Sequence, residues 1–202
     1  MKFPIVSYLT DSTKEFEGEF SLVLFCYGCN FRCSGCYNAS FVTNAKNIIG
    51  DGYDMLDQLV DPVTTAVVLL GGEPAIHPGF IDVLRKVRSL GLKTKMFTNG
   101  YETERIVEAL DAGLLDEISV DFKAVYGING VVGIDMTDEE YLKRLHTIVN
   151  AAERNKVPVI LHSTMFPSMS HQQAEIISYA HQYFNHAKHV IQPFFDTKDK
   201  VQ

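Results

Sequence analysis

The chain has four cysteines, at positions 26, 29, 33 and 36, all within eleven residues of one another. Disulfide frameworks join distant segments, and a bridge inside so short a loop would close almost no chain entropy. The group therefore reads as reduced thiolates, and soft thiolates select zinc, copper(I) or iron–sulfur. Cys29, Cys33 and Cys36 follow C-x3-C-x2-C, and Cys26 adds a C-x2-C in front. A structural zinc site usually draws on two short knuckles well apart in sequence. Here only Asn30, Phe31 and Arg32 lie between the two pairs. Wrapping four thiolates of one short loop around a single ion is awkward, whereas such a loop fits a larger cubane. The spacing favours a [4Fe–4S] cluster and keeps zinc as the alternative.

The surrounding elements must position that loop. Apolar, β-rich runs recur at Phe20–Phe25, Ala66–Leu70, Lys93–Phe97, Glu117–Phe122, Val157–Ser163 and His189–Phe194, mostly bounded by Gly, Pro or Asn. Helical periodicity lies between them. Pro78 to Leu90 carries Ile81, Leu84 and Val87 and stops at Gly91, while Glu102 to Ala112 carries Ile106, Ala109 and Leu110. Thr137 with Glu140 reads as a capping box before the stripe Tyr141, Leu142, Leu145, Ile148, Val149 and Ala152. Ser170 with Gln173 reads the same way before Ile176, Ile177, Ala180 and Phe184. Alternating strands and helices predict βαβ units and a parallel sheet. Six strands are too few for the eight of a closed TIM barrel. No glycine-rich dinucleotide fingerprint follows the first strand, which weakens a doubly wound nucleotide fold. Residues 1–202 read as one domain, with 1–19 a polar lead-in and 196–202 a polar tail.

Composition sets further bounds. Apolar residues are 46% and charged residues 21% of the 202, enough for a core and too few charges for disorder. Eighteen basic against 25 acidic side chains leave a net charge of −7, unfavourable for a polyanionic partner such as DNA. No apolar run has bilayer length and no signal-peptide core precedes the first acidic residues, so a soluble cytoplasmic protein is expected.

In parallel β/α architectures, chemistry collects at the C-terminal ends of the strands. The first predicted strand ends in the cysteine loop and the second in Gly71-Gly72-Glu73-Pro74. Two glycines let backbone approach a ligand, and a carboxylate suits a cationic amino group. The third ends at Thr98-Asn99-Gly100, a turn signal in its own right. On the fourth, alternation puts Ser119, Asp121 and Lys123 on the face opposite Ile118, Val120 and Phe122. Polar groups on a buried strand are costly unless they bind something, or unless Asp121 and Lys123 pair at a solvated end. His162 interrupts the fifth strand and Gln192 ends the sixth. The remaining histidines show no metal-like pairing and read as surface.

The stretch Cys29-Asn30-Phe31-Arg32-Cys33-Ser34-Gly35-Cys36 resembles the three-cysteine signature of the radical S-adenosylmethionine (SAM) enzymes. The longer Ser21–Cys29 and Cys33–Asn38 segments are similar to the activating proteins of anaerobic ribonucleoside-triphosphate reductases, and the likeness runs from about Gly18 to Phe195. It implies a partial (β/α)6 barrel open on one side, with Cys29, Cys33 and Cys36 holding a [4Fe–4S] cluster whose fourth iron takes SAM. A fourth thiolate would block that iron, so Cys26, placed one residue past the strand, is taken as structural. Gly71, Gly72, Glu73 and Pro74 match the family's GGEP motif for the SAM amino group, and Thr98 or Asn99 faces the cofactor. Asp121-Phe122-Lys123-Ala124 resembles the Asp-x-Lys-Ala motif near the SAM amino acid moiety. His162, where related activases commonly carry Arg, is implied at the SAM carboxylate or ribose, and Gln192 at the adenine.

The chemistry so implied is reductive cleavage of SAM to a 5′-deoxyadenosyl radical that takes hydrogen from a backbone glycine of a partner. The partner is a glycyl-radical enzyme, the anaerobic ribonucleoside-triphosphate reductase, and the electron donor is flavodoxin-like. Residues 125–136, rich in glycine and at the cluster end, read as a lid, a docking segment or a connector. Two alternatives stand beside this reading. One is a small-molecule radical SAM enzyme like 7-carboxy-7-deazaguanine synthase, whose relatives usually show Cys-Asp-Thr where this chain has Cys36-Tyr37-Asn38. The other is a zinc-stabilised binding module.

Overall fold

Each of the six apolar runs forms a strand in the computed structural model, which describes residues 2–33, 35–39, 43–166 and 171–194. In chain order the strands are β1 (Pro4–Ser12), β2 (Ser21–Cys26), β3 (Gly50–Asp51), β4 (Ala66–Gly71), β5 (Lys93–Thr98), β6 (Glu117–Asp121), β7 (Val159–Met165) and β8 (Lys188–Pro193). The helices are α1 (Gly52–Leu59), α2 (Phe80–Ser89), α3 (Thr103–Asp111), α4 (Ile128–Val132), α5 (Asp138–Arg154) and α6 (Gln173–Tyr183). One sheet runs β3-β1-β2-β4-β5-β6-β7-β8. From β2 to β8 every pairing is parallel, whereas β1 lies antiparallel to β2 and β3. The sheet does not close into a barrel, because β3 and β8 are its two ends. Among the described residues no helix is long and apolar enough to cross a membrane.

Alternation along the strands sorts the two faces. Leu22, Leu24, Val67, Leu69, Ile118 and Val120 point to the helix side and join one large core with residues of α1 to α6. On the opposite face a smaller cluster holds Phe16, Val23, Ala66 and Val68, with Phe25, Leu70 and Phe97 packed against it. Lys95 and Glu117, direct cross-strand partners, form a nearly buried ion pair on that face at 2.7 Å. The face thus changes from apolar under β2 and β4 to polar under β5 and β6.

The lead-in departs from its polar appearance. Phe3, Ile5, Val6 and Phe16 are buried, and β1 runs along β2. Its apolar residues are consecutive, then give way to exposed Tyr8 and Leu9, so no period-2 pattern betrays the strand. The tail 196–202 lies outside the described residues. Thr137 caps α5 by accepting from the Glu140 amide at 3.1 Å, but the Glu140 carboxylate turns to Arg144 one turn on, so only half the capping box forms. Ser170 also lies outside the described residues. Gln172 stands at the start of α6 without a side-chain capping bond, and its side chain instead bonds the Tyr126 backbone in both directions. Three histidines expected on the surface are not there: His77 is buried edge-on to Phe3, while His146 and His189 are half-buried against Tyr179 and Ser163.

Candidate active site

Cys26 is the last residue of β2, not the residue after it, and is fully buried between Ile5 of β1 and Gly71 of β4. Burial drives its thiol well above the usual cysteine range. Beyond it the chain leaves the sheet and meets the turn after β4. The Cys26 carbonyl accepts from Gly72 N–H at 3.0 Å and the Gly28 carbonyl from Glu73 N–H at 2.9 Å. A Cβ on Gly72 would lie 1.7 Å from the Gly28 oxygen, so only glycine allows the two loops to be joined this closely.

Above this junction is a cavity of about 350 Å³, lined by Cys29, Cys33 and Cys36 together. Gly71, Gly72, Thr98 and Asn99 line it from β4 and β5, and Asp121, Lys123 and Gln192 from β6 and β8. Among the described residues no three Cys, His, Asp or Glu groups are already gathered into a metal site. What the cysteines share is one cavity.

Glu73, Pro74 and His162 are not among the lining residues. Pro74 is buried at the start of a 3-10 turn capped by Glu73. The Glu73 carboxylate is fully buried: Oε1 accepts from Ala75 N–H at 3.1 Å and Thr98 Oγ1 at 2.9 Å, and Oε2 from Asn99 N–H at 2.7 Å. Burial outweighs these donors and pushes its pKa up to about 7. The side chain therefore ties the β4 turn to the end of β5, and backbone at Gly71 and Gly72 faces the cavity. His162 sits beside Asp121 in register, its ring 5.4 Å from that of Phe97, and its Nε2 has no hydrogen-bond partner among the described residues.

Lys123 Nζ lies 2.9 Å from Asp121 Oδ2. Burial alone would lower the lysine pKa, but Asp121 and the neighbouring Cys33 hold it above the usual value. Tyr141 of α5 fixes the strand end: its hydroxyl accepts from Lys123 N–H at 2.7 Å and donates to the Asp121 carbonyl at 2.9 Å. The glycine-rich stretch after β6, expected as a lid, docking segment or connector, is packed. Ile128, Val131, Val132 and Met136 are buried, and the Val132 carbonyl accepts from Arg32 N–H of the cysteine loop at 2.7 Å.

The sequence reading missed several lining residues. Thr164 shares the parity of His162 and Phe194 that of Gln192 within the expected strand 189–194, so both were legible, whereas Phe166 closes on Gly35 from a loop end that no periodicity marks. Asn38, whose Nδ2 donates to the Gly71 carbonyl at 3.1 Å, joins the cysteine loop to the glycine turn a second time.

The model of the Radical SAM superfamily matches residues 23–180, most of the chain and every element that builds this cavity except β8. The chain belongs to the Radical SAM superfamily. A Methanocaldococcus jannaschii protein, named provisionally as a glycyl-radical enzyme activating enzyme, is 28% identical over 84% of this chain and 71% of its own length. The S-adenosylmethionine-dependent nucleotide dehydratase of Flammeovirga pacifica is 26% identical over 52% of this chain, which spans only 39% of that protein. Among solved structures, TYW1 with a lysine-pyruvate adduct aligns with a TM-score of 0.63 at 13% identity, covering 91% of this chain and 68% of that one. Streptococcus suis SuiB bound to S-adenosylmethionine aligns at 0.58 and 15%, covering 85% and 38%. These structural likenesses concern the fold.

Radical SAM proteins use a [4Fe–4S] cluster and SAM. The donor set here fits such a group. Cys29, Cys33 and Cys36 line one cavity with the soft sulfur donors that select iron–sulfur, while burial pushes the Cys29 thiol up to about 12 and raises that of Cys33.

Proposed function

We propose that this radical SAM protein is a glycyl-radical activase whose partner is an anaerobic ribonucleoside-triphosphate reductase. The observation that carries the reading is the separation of the cysteines: Cys29, Cys33 and Cys36 line one cavity with the glycine turn and the Asp121–Lys123 pair, and Cys26 is sealed in the sheet. Similarity to a protein named as a glycyl-radical activating enzyme supports the substrate class.

In this reading Cys29, Cys33 and Cys36 hold the cluster. A cluster held there would supply the electron, taken from a low-potential donor, for reductive cleavage of SAM, and with it the hydrogen abstraction directed at a partner glycine. The chain's residues bind and orient. Backbone of Gly71 and Gly72 receives the SAM amino group, with Glu73 bracing that backbone from behind. Asp121 and Lys123 form a neutralised pair at the amino acid moiety, with Thr98 and Asn99 on the adjoining strand. Gln192, with Thr164 beside it, meets the nucleoside on the open side. His162 stands next to Asp121 and supports that end of the site without lining it. Phe31, Phe97, Phe166 and Phe194 limit water around the cysteines. Burial and preorganised polar groups suffice for this task, since it needs no nucleophile–base pair. Four free thiols suit a reducing cytoplasm, and the radical SAM reading calls for a low-potential donor such as a flavodoxin.

The test is anaerobic reconstitution, SAM cleavage with a low-potential reductant, and electron spin resonance after mixing with the reductase. A glycyl-radical signal that requires this protein, the reductant and SAM is expected. SAM cleavage coupled to consumption of a nucleotide, with no protein radical, favours the second reading, a small-molecule radical SAM enzyme. Matches to the nucleotide dehydratase and to a Thermococcus kodakarensis protein named provisionally as a GTP 3′,8-cyclase, 24% identical over 59% of this chain, support that alternative. A colourless protein carrying zinc and inert to SAM overturns both.

A further inference from the structure

The three cysteines lining the cavity are not equivalent. Cys29 Sγ accepts from the Phe31 amide at 3.3 Å and from the Asn99 side-chain Nδ2 at 3.6 Å. Among the described residues no side-chain donor reaches the sulfur of Cys33 or Cys36. Asn99 is held for this contact on three sides. Its amide N–H donates to buried Glu73 Oε2 at 2.7 Å, its Oδ1 accepts from Tyr101 N–H at 3.0 Å, and its Nδ2 also donates to Asn30 Oδ1 at 2.7 Å. The Tyr101 contact fixes which end of the carboxamide is oxygen, because the oxygen must face an N–H. The two hydrogens of Nδ2 are then directed to Asn30 and Cys29.

We infer that Asn99 is a positioning residue that tunes the cluster through a hydrogen bond to one ligand, Cys29, and so makes one corner electronically distinct. The inference rests on the proposed assignment of Cys29 as a cluster ligand. Hydrogen bonds to ligand sulfur stabilise the more negative, reduced cluster and raise its reduction potential. Asn99 does this from a rigid mount, since Glu73 grips its backbone independently of its side chain. Asn99 as a whole is only 7% exposed, so water competes little for the bond. Asn30 shares the same donor, hence its removal leaves Nδ2 free to favour sulfur.

Three variants test this on the anaerobically reconstituted protein, read by iron and sulfide content and by a spin-resonance redox titration of the cluster. N99L removes the donor, and N99S removes it while leaving an oxygen near Tyr101 N–H, a milder change that keeps the test open if N99L folds poorly. Both should carry a full cluster whose reduced-to-oxidised ratio at fixed potential falls about two- to tenfold, the factor for one hydrogen bond of ordinary net strength. N30A should leave that ratio unchanged or raise it. Full cluster loading with an unshifted potential in N99S overturns the inference. A wild-type protein that takes up no [4Fe–4S] cluster overturns the ligand assignment beneath it instead.

Discussion

Glu73 shows how one buried atom group sets the behaviour of its surroundings. Its folded pKa of about 7 stands above the 4.5 of an exposed glutamate. A raised carboxyl pKa means that the folded state holds its proton more tightly than the unfolded one between those values. Its contribution is therefore fully present below about pH 4.5 and lost as pH rises through about 7. The part due to Glu73 is on the order of 3 kcal/mol. Urea melts of the metal-free chain should show the E73Q variant losing less stability than wild type over that interval, and parallel curves would refute the assignment. The cysteines divide in the same residue-level way. C33A should abolish iron retention and SAM cleavage. C26S should keep its iron while melting at lower denaturant, because a buried hydroxyl without a partner costs about 1–3 kcal/mol. Loss of iron in C26S alone would reverse the ligand assignment.

At the level of elements, the six parallel strands were legible because each is a short, β-rich and largely apolar run bounded by turn residues, even where, as in β8, the folded strand has no buried residue. Their alternation also sorted Asp121 and Lys123 from Val120 and Phe122. Other features left weaker traces. β1 was hidden by its unpatterned apolar start, and α1 by its eight-residue length and its first residue, glycine. The direction of the Glu73 carboxylate depends on where β5 ends in space, which spacing along the chain does not encode. The stretch around α4 looked mobile because glycine is frequent, yet one of its glycines, Gly133, permits close packing. Gly133 has φ +67°, and a Cβ there would lie 2.5 Å from the Arg32 carbonyl oxygen in the cysteine loop. Gly130, in α4, has nothing within 4 Å of such an atom. G133A should thus fold with a penalty of about 1–2 kcal/mol and load less iron, by displacing the loop at Arg32. G130A should load fully and be slightly more stable, having lost unfolded-state freedom without strain. Equal iron content in the two variants would remove α4 from its bracing role.

Across the molecule, the open sheet makes ligand and stability interdependent. The cavity draws its lining from β4, β5, β6, β7 and β8, yet those strands are not equally secure. Ala66 to Leu69 of β4 and Thr94 to Met96 of β5 are buried between neighbouring strands, whereas among the described residues β8 pairs only with β7 and has no buried residue. An edge strand of this kind opens locally at low free-energy cost, and its outward backbone groups exchange first. A ligand spanning the cavity from the glycine turn to Gln192 would stabilise the edge more than the centre, because only the edge has protection left to gain. SAM at about 100 times its dissociation constant adds about 2.7 kcal/mol to the bound state. Hydrogen exchange on the reconstituted protein should therefore slow on SAM addition at 189–192 of β8, with little change at 66–69 of β4. Protection confined to β4 and β5, with β8 exchanging as before, would place the nucleoside away from Gln192 and leave the open side free for another molecule.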